Sequence, residues 1–327
     1  MDLDVIFLGT GGSVPTARRS TACVLVRAGG ERLLFDCGEG SQRQMQRSTG
    51  LVQVDEIYLT HFHADHYLGV PGLLKTYDLH DRSAPIRIVG PPGLTDLFAA
   101  LRRIMGKVRY EVELVELEPG EAVDHGGWEV RCFPVEHRVQ AYGYAFVEHE
   151  RPGRFDPEEA QRLGIKPGPD FGRLQAGETV VGERGEVRPE QVMGDPRPGR
   201  KLVFTGDTAP CEMTRLAAHQ AELLVHDASF GDEEAERAAE TAHSTARQAA
   251  EIARDAEVRM LALIHISSRY HVPEVVAQAR EAFPGAVAPR DFDLVRVPFP
   301  ERGAPELVEG GAREAPDERA APPDAAP

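Results

Sequence analysis

The sequence predicts an α/β fold, a layered sandwich of sheets and helices into which one flexible arm is inserted. Three observations predict it: short β-branched and aromatic runs ending in Gly-rich turns, an Ala/Glu/Arg stretch of helical period near residue 250, and a change of composition at residues 148–199. Strands are read first at residues 5–8, 22–26 and 33–35, the last two flanking the Gly29-Gly30 turn. Further strands follow at 56–59, 86–89, 128–133, 202–204, 223–225 and 261–264. The helix at 244–256 opens on Ser244-Thr245, a capping signal. Strands that alternate with helices bury their apolar faces best in stacked layers.

Composition narrows the class. The 327 residues are 41% hydrophobic and 28% charged, an ordinary globular mix that excludes a coiled coil or a wholly disordered chain. No apolar run approaches the roughly 20 residues that span a bilayer, and Met1-Asp2-Leu3-Asp4 has no basic leader, so a soluble, cytoplasmic protein is expected. Cys23, Cys37, Cys132 and Cys211 are scattered without a C-x-x-C pair, which argues for buried thiols and against a thiolate zinc knuckle. The net charge of −16 means that any nucleic-acid site must be a local basic patch on an acidic body.

The domain boundaries expected are one domain from 1–147 and 200–300, an arm at 148–199 and a disordered, acidic Pro/Ala-rich tail at 301–327. Nine Gly and seven Pro in the 52 residues of the arm make it read as an irregular insertion: either a binding element, with Arg154-Phe155 and Lys166-Pro167-Gly168-Pro169 as candidate contacts, or a mobile loop without function.

The most informative stretch is Thr60-His61-Phe62-His63-Ala64-Asp65-His66, which directly follows an apolar strand. Three imidazoles and a carboxylate form a ligand set suited to zinc, manganese or iron. Six residues cannot surround two metals, so distant ligands are needed. His137, Asp207 and His265 each follow another predicted strand, where α/β folds place their chemistry.

The H-x-H-x-D-H run with a later His, Asp and His resembles the metallo-β-lactamase superfamily. Residues 7–12 (FLGTGG), 35–39 (FDCGE), 69–74 (GVPGLL), 141–144 (AYGY), 204–208 (FTGDT), 243–245 (HST) and 265–270 (HISSRY) extend the resemblance to the short-form ribonuclease Z pattern, in order, over most of residues 3–299. The resemblance implies a metallo-β-lactamase αββα sandwich and a homodimeric endoribonuclease that removes the 3′ trailer of precursor tRNA. It implies two Zn2+ per subunit, with Mn2+ as the alternative. One would be held by His61, His63 and His137, the other by Asp65, His66 and His265, with Asp207 between them. It makes the arm a grip for the tRNA elbow, with Lys166, Gly168 and Pro169 as contacts and Arg162 and Arg173 beside them. The loop at residues 15–20 departs from the family's Pro-x-Lys-x-Arg-Asn: Arg19 is kept as a substrate contact, but Ala17 and Ser20 replace Lys and Asn.

In that chemistry Asp65 is the expected proton acceptor for the attacking water and His243 the general acid for the departing 3′-oxygen. Asp227, in His226-Asp227-Ala228-Ser229, is expected to orient His243 if its short side chain can reach. Ser267 and Arg269 are expected phosphate contacts. Two rivals remain: a hydrolase of small phosphodiesters or esters on the same fold, which leaves the arm without a task, and a non-catalytic RNA-binding module.

Overall fold

In the computed structural model of the protein, residues 2–314 and 320–321 are described. Two large sheets carry the fold. The first runs Glu306–Val308, Leu294–Arg296, Leu3–Gly9, Cys23–Ala28, Glu31–Phe35, Glu56–Tyr58, Ile86–Gly90, Val112–Glu116. Its pairing is antiparallel as far as Glu31–Phe35 and parallel beyond. The second runs Ala286–Val287, Leu261–Ile264, Leu223–Asp227, Lys201–Phe204, Tyr142–Glu148, Trp128–Pro134, Ala122–Asp124, and its first four strands are parallel. Parallel strands are covered on both faces, which is why 202–204, 223–225 and 261–264 read as unbroken apolar runs.

Aromatic rings fill the seam between the sheets. Phe35 stacks on Phe204 with centroids 4.0 Å apart, and Tyr58 meets Tyr144 edge-on at 5.2 Å. The Tyr144 hydroxyl donates to the Leu59 carbonyl at 2.9 Å. Helices close the outer faces. Residues 69–74 begin the helix Gly69–Leu79, whose Val70, Leu73, Leu74 and Tyr77 are buried against the first sheet. Behind the second sheet, Ala246–Asp255 buries Ala246, Ala249, Ala250 and Ala253, a stripe at helical spacing whose small side chains let the backbone approach closely. Its start is a capping box between Thr245 and Gln248.

Contacts divide the chain into two compact units; the smaller comprises Gly126–Trp128 and Glu148–Gly199. The expectation that the arm is irregular needs correcting here. Helices Pro157–Arg162 and Pro169–Gln175 and the hairpin Val180–Gly182 with Gly185–Val187 surround a small core of Ala160, Ile165, Leu174, Val180, Val187 and Val192. Asp156 caps the first helix, accepting from the amides of Glu158 and Glu159 at 3.0 and 2.9 Å. The apolar residues of this unit are scattered singly among Gly and Pro, so no local window shows the core they make together.

The tail is corrected too. Residues 306–308 add a strand to the edge of the first sheet, Asp293 accepts the Gly310 amide at 2.8 Å, and Ala312 is buried. Averaging the composition over 301–327 hid this short Leu-Val segment. Residues 315–319 and 322–327 of the expected disordered tail lie outside the described residues. Among the described residues no helix is long and apolar enough to cross a membrane.

Candidate metal centre

The site grows from strand ends. Register pairs Phe35 with Tyr58, so the chain leaving one strand at Asp36 lies beside the chain leaving the other at Thr60. Asp36 accepts from the Thr60 amide at 2.9 Å and from its hydroxyl at 3.0 Å. In the second sheet the parallel ladder pairs Asp227 with Ile264 and brings Asp207, Asp227 and His265 to one rim. Asp36 and His265 hold positive φ angles of 56° and 61°, a conformation L side chains adopt at a cost and one that clusters at functional sites. Two glycines give room. A Cβ on Gly12 would lie 2.6 Å from the His265 ring nitrogen, and one on Gly206, whose φ is +61°, would lie 2.7 Å from the Thr60 side chain.

One set of ligand atoms, from His61, His63, His137 and Asp207, lies within 4.8 Å of one another; so does a second, from Asp65, His66 and His265. Asp207 faces both. Its Oδ2 is 3.8 Å from His61 Nε2, and its Oδ1 is 3.3 Å from His66 Nε2 and 3.4 Å from His265 Nε2.

Four of the five rings, His61, His66, His137 and His265, are oriented by a hydrogen bond at the outer nitrogen, and that network fixes what the inner nitrogen can do. The Thr60 hydroxyl donates to Asp36, so it accepts from His61 Nδ1 at 3.0 Å. His137 Nδ1 donates to the Ala242 carbonyl at 3.0 Å and His66 Nδ1 to Asp36 at 2.7 Å. The Ser229 hydroxyl donates to Asp227 at 2.6 Å and accepts from His265 Nδ1 at 2.7 Å. The inner nitrogens of neutral His61 and His137 are therefore lone pairs. Both converge on His63 Nδ1, at 2.9 and 3.3 Å, which carries one proton at most. His66 Nε2 is fully buried with no hydrogen-bond partner among the described residues. Lone pairs and carboxylates aimed at one another in a desolvated pocket repel unless positive charge lies between them. The donor set thus fits divalent cations with nitrogen and oxygen ligands.

The proton equilibria agree with that fit. Burial, and then the neighbouring His66, hold His61 well below its ordinary range. Burial opposes charge on His66 and His265 too, but Asp207 with Asp36 in one case and Asp207 with Asp65 in the other raises them above it. Asp65, despite burial, is brought down to about 2 by the His265 hydrogen bond and the His66 charge. His243 stacks beside His265 at 5.4 Å and meets His137 at 5.1 Å between centroids. Its Nδ1 is 2.7 Å from Asp227 Oδ2, so the short carboxylate does reach. Although burial works against it, that carboxylate raises His243 to about 9.

Asp36 and Ser229 were not among the residues singled out from the sequence as site residues. A signal existed for Asp36: an acid at the end of a strand that neighbours the ligand-bearing strand. Ser229 had none beyond its place two residues after Asp227. Arg269 is held by Ser267 Oγ at 3.2 Å and Glu234 at 3.4 Å and lies over Phe230, whose ring meets His243 at 6.0 Å. Arg19 is half-buried, and its Nη1 donates to Thr10 Oγ1 at 2.6 Å and to the Pro289 carbonyl at 3.0 Å, which anchors its loop. In the smaller unit, Lys166 pairs with Glu183 at 2.7 Å, and Gly168 and Pro169 begin the second helix.

Two family models match: the metallo-β-lactamase superfamily over residues 16–138 and the β-lactamase superfamily domain over 191–266. Ribonuclease Z of Haloferax volcanii is 51% identical over 91% of this chain and 96% of its own length. Ribonuclease Z of Myxococcus xanthus is 47% identical over 92% and 99%. Among solved structures, human tRNase Z, short form, superposes with a TM-score of 0.65 at 26% identity, covering 90% of this chain and 99% of that one. The long form from yeast, at 18% identity and a TM-score of 0.62, covers 90% of this chain and 42% of its own and shares the fold. A chain that aligns at such identity along nine-tenths of its length, with two sheets whose rims gather seven metal-competent side chains, belongs to the ribonuclease Z family of the metallo-β-lactamase superfamily.

Proposed function

We propose that this protein cuts the 3′ trailer from precursor tRNA beside the discriminator base, leaving a 3′-hydroxyl, and that two zinc ions serve the reaction. The observation that carries the reading is the pair of adjoining ligand sets sharing Asp207, with His243 against them. The names of the relatives supply the substrate. His61, His63 and His137 would hold one cation, Asp65, His66 and His265 the other, and Asp207 would touch both. When bound, two such cations supply Lewis acidity, making water acidic enough to attack at neutral pH and neutralising phosphoryl oxygens.

The chain's own residues do the rest. Asp65, fixed by the Ser13 amide at 2.9 Å, accepts the proton of the attacking water. His243, which Asp227 raises to about 9 in the metal-free protein, gives its proton to the departing 3′-oxygen while Asp227 holds the ring. Ser229 ties Asp227 to His265 and so fixes acid and ligand relative to each other. Ser267 and Arg269 contact the phosphate, and the arm, through Lys166, Gly168 and Pro169, grips the body of the tRNA. A homodimer in the cytoplasm fits the resemblance noted above.

A small-substrate hydrolase would give no reason for an arm with its own helices, hairpin and core. The deciding experiment offers the purified protein a precursor tRNA with a 3′ trailer, with zinc, with manganese and with EDTA, and maps both ends of the cut. One metal-dependent cut beside the discriminator base is expected. Hydrolysis of bis(p-nitrophenyl) phosphate without any cut in the precursor would keep the metal chemistry and sink the tRNA reading.

A further inference from the structure

Arg138 stands exposed beside the candidate ligand His137, and among the described residues no ion pair joins it to a carboxylate. Its donors go to main chain instead. Nε donates to the Glu240 carbonyl at 3.1 Å, and Nη2 donates to the same oxygen. Glu240 lies in the last turn of the helix Ala235–Thr241, where carbonyls lack partners within the helix and a cation meets the negative end of the helix dipole. Two residues on, His137 Nδ1 donates to the Ala242 carbonyl. Ala242 ends the helix in the left-handed conformation, φ +55°, which glycine adopts freely and alanine only at a cost. The next residue is His243, whose amide turns back to the Ala238 carbonyl at 2.9 Å.

Three loops are laced together here, and each carries one residue of the site: His137, Asp207 or His243. The Glu136 amide donates to Thr208 Oγ1 at 3.2 Å, the Ala209 amide to the Glu136 carbonyl at 2.8 Å, and Ser244 Oγ to the Thr208 carbonyl at 2.7 Å. Arg138 adds the tie between the His137 loop and the helix that leads into His243. Asp227 cannot replace that tie. It holds one ring nitrogen of His243 but not the path of the main chain that brings the ring there. A proton donor works only within hydrogen-bond reach of the leaving oxygen, and a misplacement of about 1 Å can cost about 100-fold.

We propose that Arg138 is a positioning residue for the proton donor: by clamping the last turn of Ala235–Thr241 to the loop of His137, it sets where His243 stands against the candidate metal centre. The assignment rests on the reading of His243 as general acid given above. Arg138→Ala should lower kcat on precursor tRNA about 10- to 100-fold with KM within about twofold. Arg138→Lys keeps a donor for the Glu240 carbonyl and should recover most of that loss. With bis(p-nitrophenyl) phosphate, whose p-nitrophenolate departs without needing a proton, the loss should be at least about fivefold smaller. In a His243→Ala background Arg138→Ala should cost less than about twofold, because a residue that acts through His243 then has nothing to place. Hydrogen exchange of the metal-free protein should quicken at the Ala242 and His243 amides in Arg138→Ala, while the helix Ala246–Asp255 stays protected, which excludes misfolding as the cause. A raised KM with kcat unchanged would make Arg138 a substrate contact and overturn the proposal. So would equal losses on the two substrates, a full further loss on top of His243→Ala, or unaltered exchange at Ala242 and His243. If His243→Ala itself leaves kcat on the precursor untouched, the general-acid reading falls and the proposal with it. If His243→Ala is impaired and Arg138→Ala is not, the proposal alone falls.

Discussion

The cations of the arm and those around a cavity lined by Arg18, Arg19, Arg43, Arg47, Arg290 and Arg313 differ in how many are paired. In the arm, Arg162 is bound by Glu159, Lys166 by Glu183, and Arg173 by Asp170 and Glu178, whereas Arg154, Arg184 and Arg188 have no ion pair among the described residues. Around the cavity, Arg18, Arg43, Arg47, Arg290 and Arg313 have none among the described residues. Exposed pairs of the first kind contribute about 0–1 kcal/mol each, so an RNA phosphate can displace them, but it must compete with a carboxylate and releases fewer counterions in doing so. Counting basic residues therefore misjudges where an acidic protein meets nucleic acid; what matters is which cations its own acids leave free.

The largest effect that can break this contrast comes from removing the arm. Replacing residues 150–198 with a short linker should lower kcat/KM on precursor tRNA by 100-fold or more and leave bis(p-nitrophenyl) phosphate turnover within about threefold. Equal loss on both substrates would mean that the arm supports the site itself. His243→Ala should cost about 100- to 10,000-fold in kcat with KM unmoved, the range of a positioned general acid, and should do so whichever region binds the RNA. In the arm core, Leu174→Ala should destabilise that unit by about 2–5 kcal/mol, read as protease cutting within 148–199 while the melting of the larger unit stays put.

The smallest effect is protonic. In the metal-free protein His243, raised to about 9 by Asp227, stays charged below that pH. A raised folded-state pKa adds stability that is full below the unfolded value near 6.5 and is lost as pH rises through about 9. Asp227→Asn should move the NMR titration of His243 back toward 6.5 and abolish that loss; an unmoved titration would show that another group holds the proton.

Sequence reading reached the ligands because chemistry concentrates them: His61, His63, Asp65 and His66 stand together after a strand, and His137, Asp207 and His265 each close another. It did not reach Asp36 or Ser229 as site residues, because only strand register shows that they orient His66 and His265. The arginine cavity was invisible for a different reason. Arg18, Arg43, Arg290 and Arg313 are brought together by the fold, and no window of sequence contains them. The arm core and the edge strand at 306–308 were missed because composition, averaged over tens of residues, cannot register a few well-placed apolar side chains.

The aromatic seam between the sheets bears on when this protein becomes dangerous to RNA. The first sheet's rim supplies four candidate ligands by residue 66, yet Asp207 and His265 arrive from the second sheet, and the His265 amide must still find the Thr10 carbonyl. On the proposed ligand assignment, a chain still being translated holds half a site and cuts nothing. Hydrolytic competence is thereby deferred until synthesis has passed residue 265 and the halves have docked, so a nascent nuclease is harmless to the tRNAs that surround it on the ribosome.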